Sequence, residues 1–311
     1  GGISMSDAAA SPPKRKGFRI SRRWLPYVLS LPALLACIGI LIPFFTAVAY
    51  SLQRYRLSQP WAHKWNWGEN YWNFLFDSSF WNTLQVSLTY AFLTVGLELL
   101  FGLGIALLLQ KRTRFNNFVS IMLLMPLMTA PALASLMWKL MTNPGFGILS
   151  YFASLIGFED FRWASDPSTA MLTVVLVDIW VYTPFIMILL LAGLRSLPQQ
   201  PFEAAALDGV PRLFVFWRIT LPMLTPFLLT ATLFRVIESI QQFDIIYAMT
   251  QGGPGDKLTV FQVEAYLNFF QSTNVGRSAA LLMILWAITY FLSSVFIKNW
   301  LKLREKQRGE A

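Results

Sequence analysis

Six stretches of this chain run apolar for long enough to cross a bilayer: Trp24–Leu52, Leu84–Leu109, Phe118–Leu140, Thr169–Leu194, Met223–Phe243 and Ala279–Trp300. A span needs about 20 mostly apolar residues in helical conformation. The pattern therefore predicts an all-α polytopic membrane protein with six transmembrane helices. Pro32, Pro43, Pro126 and Pro131 interrupt some of the runs, which is tolerable where neighbouring helices satisfy the freed backbone groups. Composition agrees: 55% of the residues are hydrophobic and only 13% are charged, against about 25% charged in soluble domains. So much apolar surface cannot hide in one water-bathed core.

The net charge of +9 does not point to nucleic acid. That function needs a basic face with stacking aromatics, whereas the Lys and Arg residues here sit at the ends of the apolar runs. Their distribution sets orientation instead. Most lie in the N-terminal tail (Lys14, Arg15, Lys16, Arg19, Arg22, Arg23), after the second run (Lys111, Arg112, Arg114), after the fourth (Arg195, Arg212, Arg218) and at the C-terminus (Lys298, Lys302, Arg304, Lys306, Arg308). Both termini are therefore expected in the cytoplasm. Gly1–Ser4 read as a cloning scar before Met5, 1–23 as a basic tail and 301–311 as a second tail. The run from Trp24 is too long for a signal-peptide core and lacks a small-residue cleavage site after it, so it reads as a retained span.

Outside segments 53–83 and 142–168 read as short interfacial helices and loops, with Trp61, Trp65, Trp67, Trp72 and Trp81 near the headgroups. Cys37 alone permits no intrachain disulfide, and His63 alone builds no metal site. No repeat and no second soluble domain is visible between 24 and 300.

One polar stretch between two spans, EAAALDGVPRLFVFWRITLPMLTP from Glu203 to Pro226, needs explanation. Pro201 suits the first turn of a helix, Ala204 to Leu207 are strong helix formers, and Gly209 can take positive φ and stop the helix. Pro211 can open a second short helix over Val210–Thr220, which Pro222 should break before span five. The product is a helix–turn–helix elbow, 201–222, lying along the membrane with alanines exposed. On composition alone it is equally an amphipathic connector in the headgroups.

The residues resemble something more specific. Glu203-Ala204-Ala205, three residues, Gly209, nine residues, then Ile219, Thr220, Leu221 and Pro222 are similar to the EAA loop of ABC-importer permeases. Upstream Trp180 and Thr183-Pro184-Phe185, and downstream Phe243-Asp244-Ile245-Ile246-Tyr247 with Thr250-Gln251-Gly252-Gly253-Pro254, resemble carbohydrate-uptake permeases of the MalF type. The resemblance implies a type I ABC importer permease fold. It implies that Glu203, Ala204, Ala205, Asp208 and Gly209 couple to a separate ATPase, Glu203 facing a basic group there, Ala204 and Ala205 filling its groove and Gly209 making the turn. It implies a second homologous permease, two ATPase subunits, an extracytoplasmic sugar-binding protein and a bilayer as partners, with no cofactor in this chain: ATP and Mg belong to the ATPase.

Gly252-Gly253-Pro254-Gly255-Asp256-Lys257-Leu258-Thr259 fails the phosphate-loop pattern, because no Gly directly precedes Lys257. It reads as a turn. Within the spans lie Glu98, Asp178, Arg235 and Glu238; each costs roughly 2.5–3.5 kcal/mol at mid-bilayer, so each should face a cavity or a partner. Arg235, Glu238, Ser239 and Gln242 share one face by i, i+3, i+4 and i+7 spacing, and Asp178 and Tyr182 lie one turn apart. Carboxylates, amides and rings match the hydroxyls and C–H faces of a sugar, and by the resemblance these positions line the central sugar site. The competing reading is structural, with Arg235 and Glu238 satisfying each other. Glu98, among Gly96, Gly102 and Gly104, reads as structural. A different function class is an ion-coupled secondary transporter using Asp178, Glu238 or Glu98, which often carries inverted repeats not detected here. An intramembrane enzyme lacks a His pair or a nucleophile–base arrangement.

Overall fold

The computed structural model describes residues 25–158 and 161–308, without the side chains of 303, 304 and 306–308. The tail 1–23 and Trp24, and the side chains of Arg304, Lys306 and Arg308, lie outside the described residues. The chain divides into two compact units, Gly1–Thr46 and Ala47–Ala311. Helix α1, Leu25–Ser51, is mostly apolar and contains Pro32 and Pro43.

The second unit is built on four long helices: α3 (Ser78–Leu109), α7 (Ala170–Ser196), α10 (Leu221–Ile240) and α13 (Val275–Arg308). The broadest interface is α3 on α7; α10 packs on both, and α13 packs on α10. With α1, five helices are long and apolar enough to cross a membrane. The run Phe118–Leu140 is not one straight helix. It is α4 (Arg114–Leu123), a turn at Pro126–Met128 and α5 (Pro131–Met141), bent by 92°, which makes a sixth span if counted as one. Pro126 and Pro131 explain the break, since each lacks an N–H and pushes the residue before it out of helical conformation.

Short elements decorate the ends. A hairpin pairs β1 (Gln53–Arg54) with β2 (Lys64–Trp65). Helices α2 (Glu69–Leu75), α6 (Ile148–Leu155), α11 (Asp244–Thr250) and α12 (Phe261–Phe270) complete the outer layer. Trp61, Trp65, Trp67, Trp72 and Trp81 are all exposed. Asp77 caps α3 by accepting from the Ser79 N–H at 2.9 Å and pairs with Arg277 of α13. Burial pushes the Asp77 carboxyl up, but the hydrogen bonds from Arg277 and the Ser79 N–H together with the Arg277 charge outweigh it and hold the group below its ordinary value.

Glycines fix how closely the spans approach. A Cβ on Gly102 of α3 would lie 2.8 Å from Cβ of Ile186 in α7, and one on Gly193 of α7 would lie 2.6 Å from the Phe227 ring in α10. Gly96 and Gly104 meet nothing within 4 Å, so only Gly102 among the α3 glycines serves the tight packing expected around Glu98. At the other end of this interface Arg195 donates to the Leu109 carbonyl (2.9 Å) and to Asn117 Oδ1 (3.3 Å). It closes the C-terminus of α3, where a cation opposes the helix dipole.

Gly102→Leu is expected to overpack the α3–α7 crossing by about 1–3 kcal/mol, while Gly104→Leu is tolerated; thermal unfolding of the two purified variants should differ accordingly.

Candidate functional site

Three helices deliver charge to one point. Arg235 of α10 is fully buried, and it is held by partners far apart in sequence. Its Nε donates to Glu98 Oε2 at 2.6 Å and its Nη2 to Glu98 Oε1 at 2.8 Å. Nη2 also reaches Asp178 Oδ2 at 3.1 Å, and Nη1 reaches Glu238 Oε2 at 2.9 Å. The Tyr182 ring covers the guanidinium, 3.9 Å from Cζ to the ring centroid. Four of the five guanidinium N–H donors are thus engaged. The fork on Glu98 is bidentate, the strong and directional form of this pair. The cluster joins α3 (Glu98), α7 (Asp178, Tyr182) and α10. Beside it Thr94 Oγ1 and Ser239 Oγ lie 2.7 Å apart across the α3–α10 contact.

The six residues expected to line a sugar pocket therefore divide. Asp178, Arg235 and Ser239 are sealed within the bundle, and Gln242 is buried just beyond the end of α10. Only Glu238, whose side chain is 51% exposed, and half-buried Tyr182 reach the surface. The Arg235–Glu238 pair expected from i, i+3 spacing is present, but it is one edge of a four-member cluster. Glu98 is the main partner of Arg235 rather than a bystander. That contact spans 137 positions in sequence, beyond any local periodicity; the signal available was only that a mid-span carboxylate needs a cation. Fully buried Tyr90 lies next to Asp178. The Tyr90 hydroxyl and Asp178 Oδ1 have no hydrogen-bond partner among the described residues.

Past Gln242 the aromatic rings continue the exposed edge. Phe243 stacks on Tyr247 at 4.9 Å between centroids, Tyr266 of α12 meets both at 5.2 and 4.7 Å, and Phe270 meets Tyr266 at 4.6 Å. A groove of about 360 Å³ runs along them, lined also by Gln262 and Phe269.

The elbow forms as its glycine dictates. Helix α8 (Gln200–Leu207) has Pro201 in its first turn. It closes with Gly209 N–H on Ala206 O (3.2 Å) and Val210 N–H on Ala205 O (3.0 Å), the Schellman pattern, with Gly209 at φ +66°. Glu203, Ala204, Ala206, Leu207, Asp208 and Gly209 are exposed. Ala205 turns inward, 6% exposed, because it occupies the position that packs under the residue after the glycine; it does not sit on the presented face. Leu207 is 90% exposed, with Leu213, Phe214 and Trp217 also in the open. The sequence did not single these four out.

After α9 (Arg212–Val215) the chain does not break at Pro222. A π-helical turn, Phe216–Thr220, carries it directly into α10. The widened turn falls where the Pro222 ring would otherwise meet the carbonyl one turn back, so elbow and span are continuous. The glycine-rich segment is a closed turn: Leu258 N–H and Thr259 Oγ1 both bond the Gly252 carbonyl, at 3.1 and 3.3 Å. No cluster of metal-ligating side chains occurs among the described residues.

Residues 98–306 match the sequence family described as binding-protein-dependent transport system inner membrane component. The chain is 33% identical over 229 residues to the trehalose/maltose transport system permease protein MalF of Thermococcus litoralis, covering 74% of this chain and 77% of that one. It is 33% identical over 288 residues to the sn-glycerol-3-phosphate transport system permease protein UgpA of Pectobacterium atrosepticum, covering 90% and 95%. Its fold is similar to a chain in the crystal structure of a bacterial alginate ABC transporter in complex with alginate pentasaccharide-bound periplasmic protein, with a TM-score of 0.76 at 17% identity over 88% of this chain and 93% of that one.

Arg235→Lys keeps the charge and loses the fork. It should lower stability by about 2 kcal/mol or more, because buried carboxylate oxygens are left unpaired; a thermal midpoint several degrees lower in the purified protein checks this.

Proposed function

This chain belongs to the family of binding-protein-dependent transport system inner membrane components, and on that premise we propose that it is the permease subunit of an ATP-driven sugar importer. It spans the bacterial inner membrane with both termini in the cytoplasm. It supplies one half of the translocation pathway, and a second homologous permease supplies the other. Two ATPase subunits grip the pair from below, and an extracytoplasmic sugar-binding protein delivers cargo from above. The chain itself is non-catalytic: ATP and its Mg are bound and consumed in the ATPase.

The observation that carries this reading is Glu238. A carboxylate in a membrane-spanning helix, half exposed and tied to a buried guanidinium, cannot face lipid at tolerable cost; it faces a pathway or a partner. Tyr182 beside it supplies a ring for sugar C–H faces, and the Gln242 amide lies just past the end of the same helix. Asp178, Arg235 and Ser239 act behind them, holding the surface in shape. The relatives support sugars as the class, since one is named for trehalose and maltose.

The elbow carries the coupling. Glu203, Ala204, Asp208 and Gly209 present a small, partly acidic face, with Ala205 packing beneath it, and exposed Leu207 provides an apolar anchor of the kind that marks protein interfaces. Because α9 runs through its π turn into α10 without a break, a pull on the elbow is transmitted to the helix that bears Arg235 and Glu238. That is a rigid-body route from ATP-driven closure to the pathway.

Gly209→Val forces a β-branched residue to positive φ and should abolish sugar-stimulated ATP hydrolysis in the reconstituted importer, whereas Gly209→Asn, which tolerates that conformation, should retain most of it. Equal activity of both variants would contradict docking at this turn. Glu238→Ala should reduce uptake by about tenfold or more while the four-subunit complex still assembles, a change of about 1.4 kcal/mol; unchanged uptake would remove Glu238 from the pathway.

A further inference from the structure

The reading of Glu238 and Tyr182 as a sugar-facing surface leaves the charge of the cargo undetermined, and the inference drawn now rests on that reading. We infer that the cargo is an uncharged sugar and that this half of the pathway rejects sugar acids and sugar phosphates. An intramembrane arginine ordinarily suggests the opposite, because a guanidinium fork matches a carboxylate or phosphate in two parallel hydrogen bonds. Here the fork is spent. Nε and Nη2 are committed to Glu98, Nη2 also to Asp178, and Nη1 to Glu238, while the Tyr182 ring covers the flat face.

The balance of charge points the same way. Three carboxylates surround one guanidinium. Counted by residue type, the four side chains carry more acidic than basic groups. The member at the surface is Glu238, so an approaching ligand meets a carboxylate before it meets the cation. Asp244, exposed at the first turn of α11, adds the same sign. Lys139 packs against α11, but its Nζ points to the Ala248 carbonyl, at 3.4 Å. The remaining surface offers the rings of Phe243, Tyr247, Tyr266 and Phe270 with the Gln262 amide. Carboxylate acceptors, amides and ring faces suit the hydroxyls and C–H faces of a neutral sugar.

The test uses the assembled importer reconstituted without its binding protein, so that only the permease pathway selects. Trehalose, maltose, galacturonate and glycerol 3-phosphate are titrated in turn and followed by saturation-transfer NMR near neutral pH. The neutral sugars should bind at least about tenfold more tightly than either anion, equivalent to about 1.4 kcal/mol. Glu238→Gln should shrink that ratio severalfold in a complex that assembles normally. An anion bound as tightly as trehalose by the unaltered importer overturns the inference and leaves the sugar reading standing. A ratio untouched by Glu238→Gln also overturns it, since the cluster is then not its cause. Failure of all four probes to bind defeats the sugar reading itself.

Discussion

A buried guanidinium has no tolerable position in a lipid-embedded bundle unless carboxylates come to it from several directions. Arg235 meets that demand with Glu98 from α3, Asp178 from α7 and Glu238 from its own helix. Desolvating each of these ions costs several kcal/mol, and mutual attraction repays it only with good geometry. The bidentate fork on Glu98 and the ring of Tyr182 provide that geometry. The consequence is registry: α3, α7 and α10 are free to slide past one another on apolar contacts alone, but not through an ion cluster in which every misplacement strands a charge. The close approaches at Gly102 and Gly193 bring the same three helices near enough for the cluster to form.

The elbow leads into the helix that bears two members of the cluster. Helix α10 holds Arg235 and Glu238 near one end and continues at the other through the π turn into α9 and the Gly209 corner. On the proposed coupling, force applied at Glu203 and Leu207 would act on a helix whose far end bears Arg235 and Glu238. Glu238 and Tyr182 are the members of this group that reach the surface of the chain, and on the proposed function that is the surface a second permease would close.

Much of this was legible in residues alone. Spans four and five begin and end within about three residues of their apolar runs, because the length of an apolar stretch and the thickness of a bilayer are the same constraint. Helix α3, by contrast, starts earlier than run two, and α13 extends beyond both ends of run six. Gly209 could be placed at a helix stop because positive φ selects glycine, and the elbow motif identified the family. Three features were not legible. The third run bends by 92°, which Pro126 and Pro131 permit but do not require. Pro222 does not end the elbow, since a π turn, invisible in composition, absorbs it. The pocket residues Asp178, Arg235 and Ser239 turned out to be buried, because helical spacing says which residues share a face and not which helix that face meets. Glu98 shows the limit most clearly: its partner is 137 positions away, and only the cost of an unpaired mid-membrane carboxylate hinted that one existed.

The dependence of the bundle on this cluster can be measured with a double-mutant cycle on Glu98→Gln and Arg235→Met, read as thermal or denaturant stability of the purified protein in one detergent. Glu98→Gln removes the bidentate fork but leaves Arg235 on Asp178 and Glu238. Arg235→Met leaves all three carboxylates without their cation, and in the double change Asp178 and Glu238 alone remain. A coupling energy of about 2 kcal/mol or more between the two positions is predicted, whereas additivity to within about 0.5 kcal/mol would show that Arg235 does not hold the helices in register.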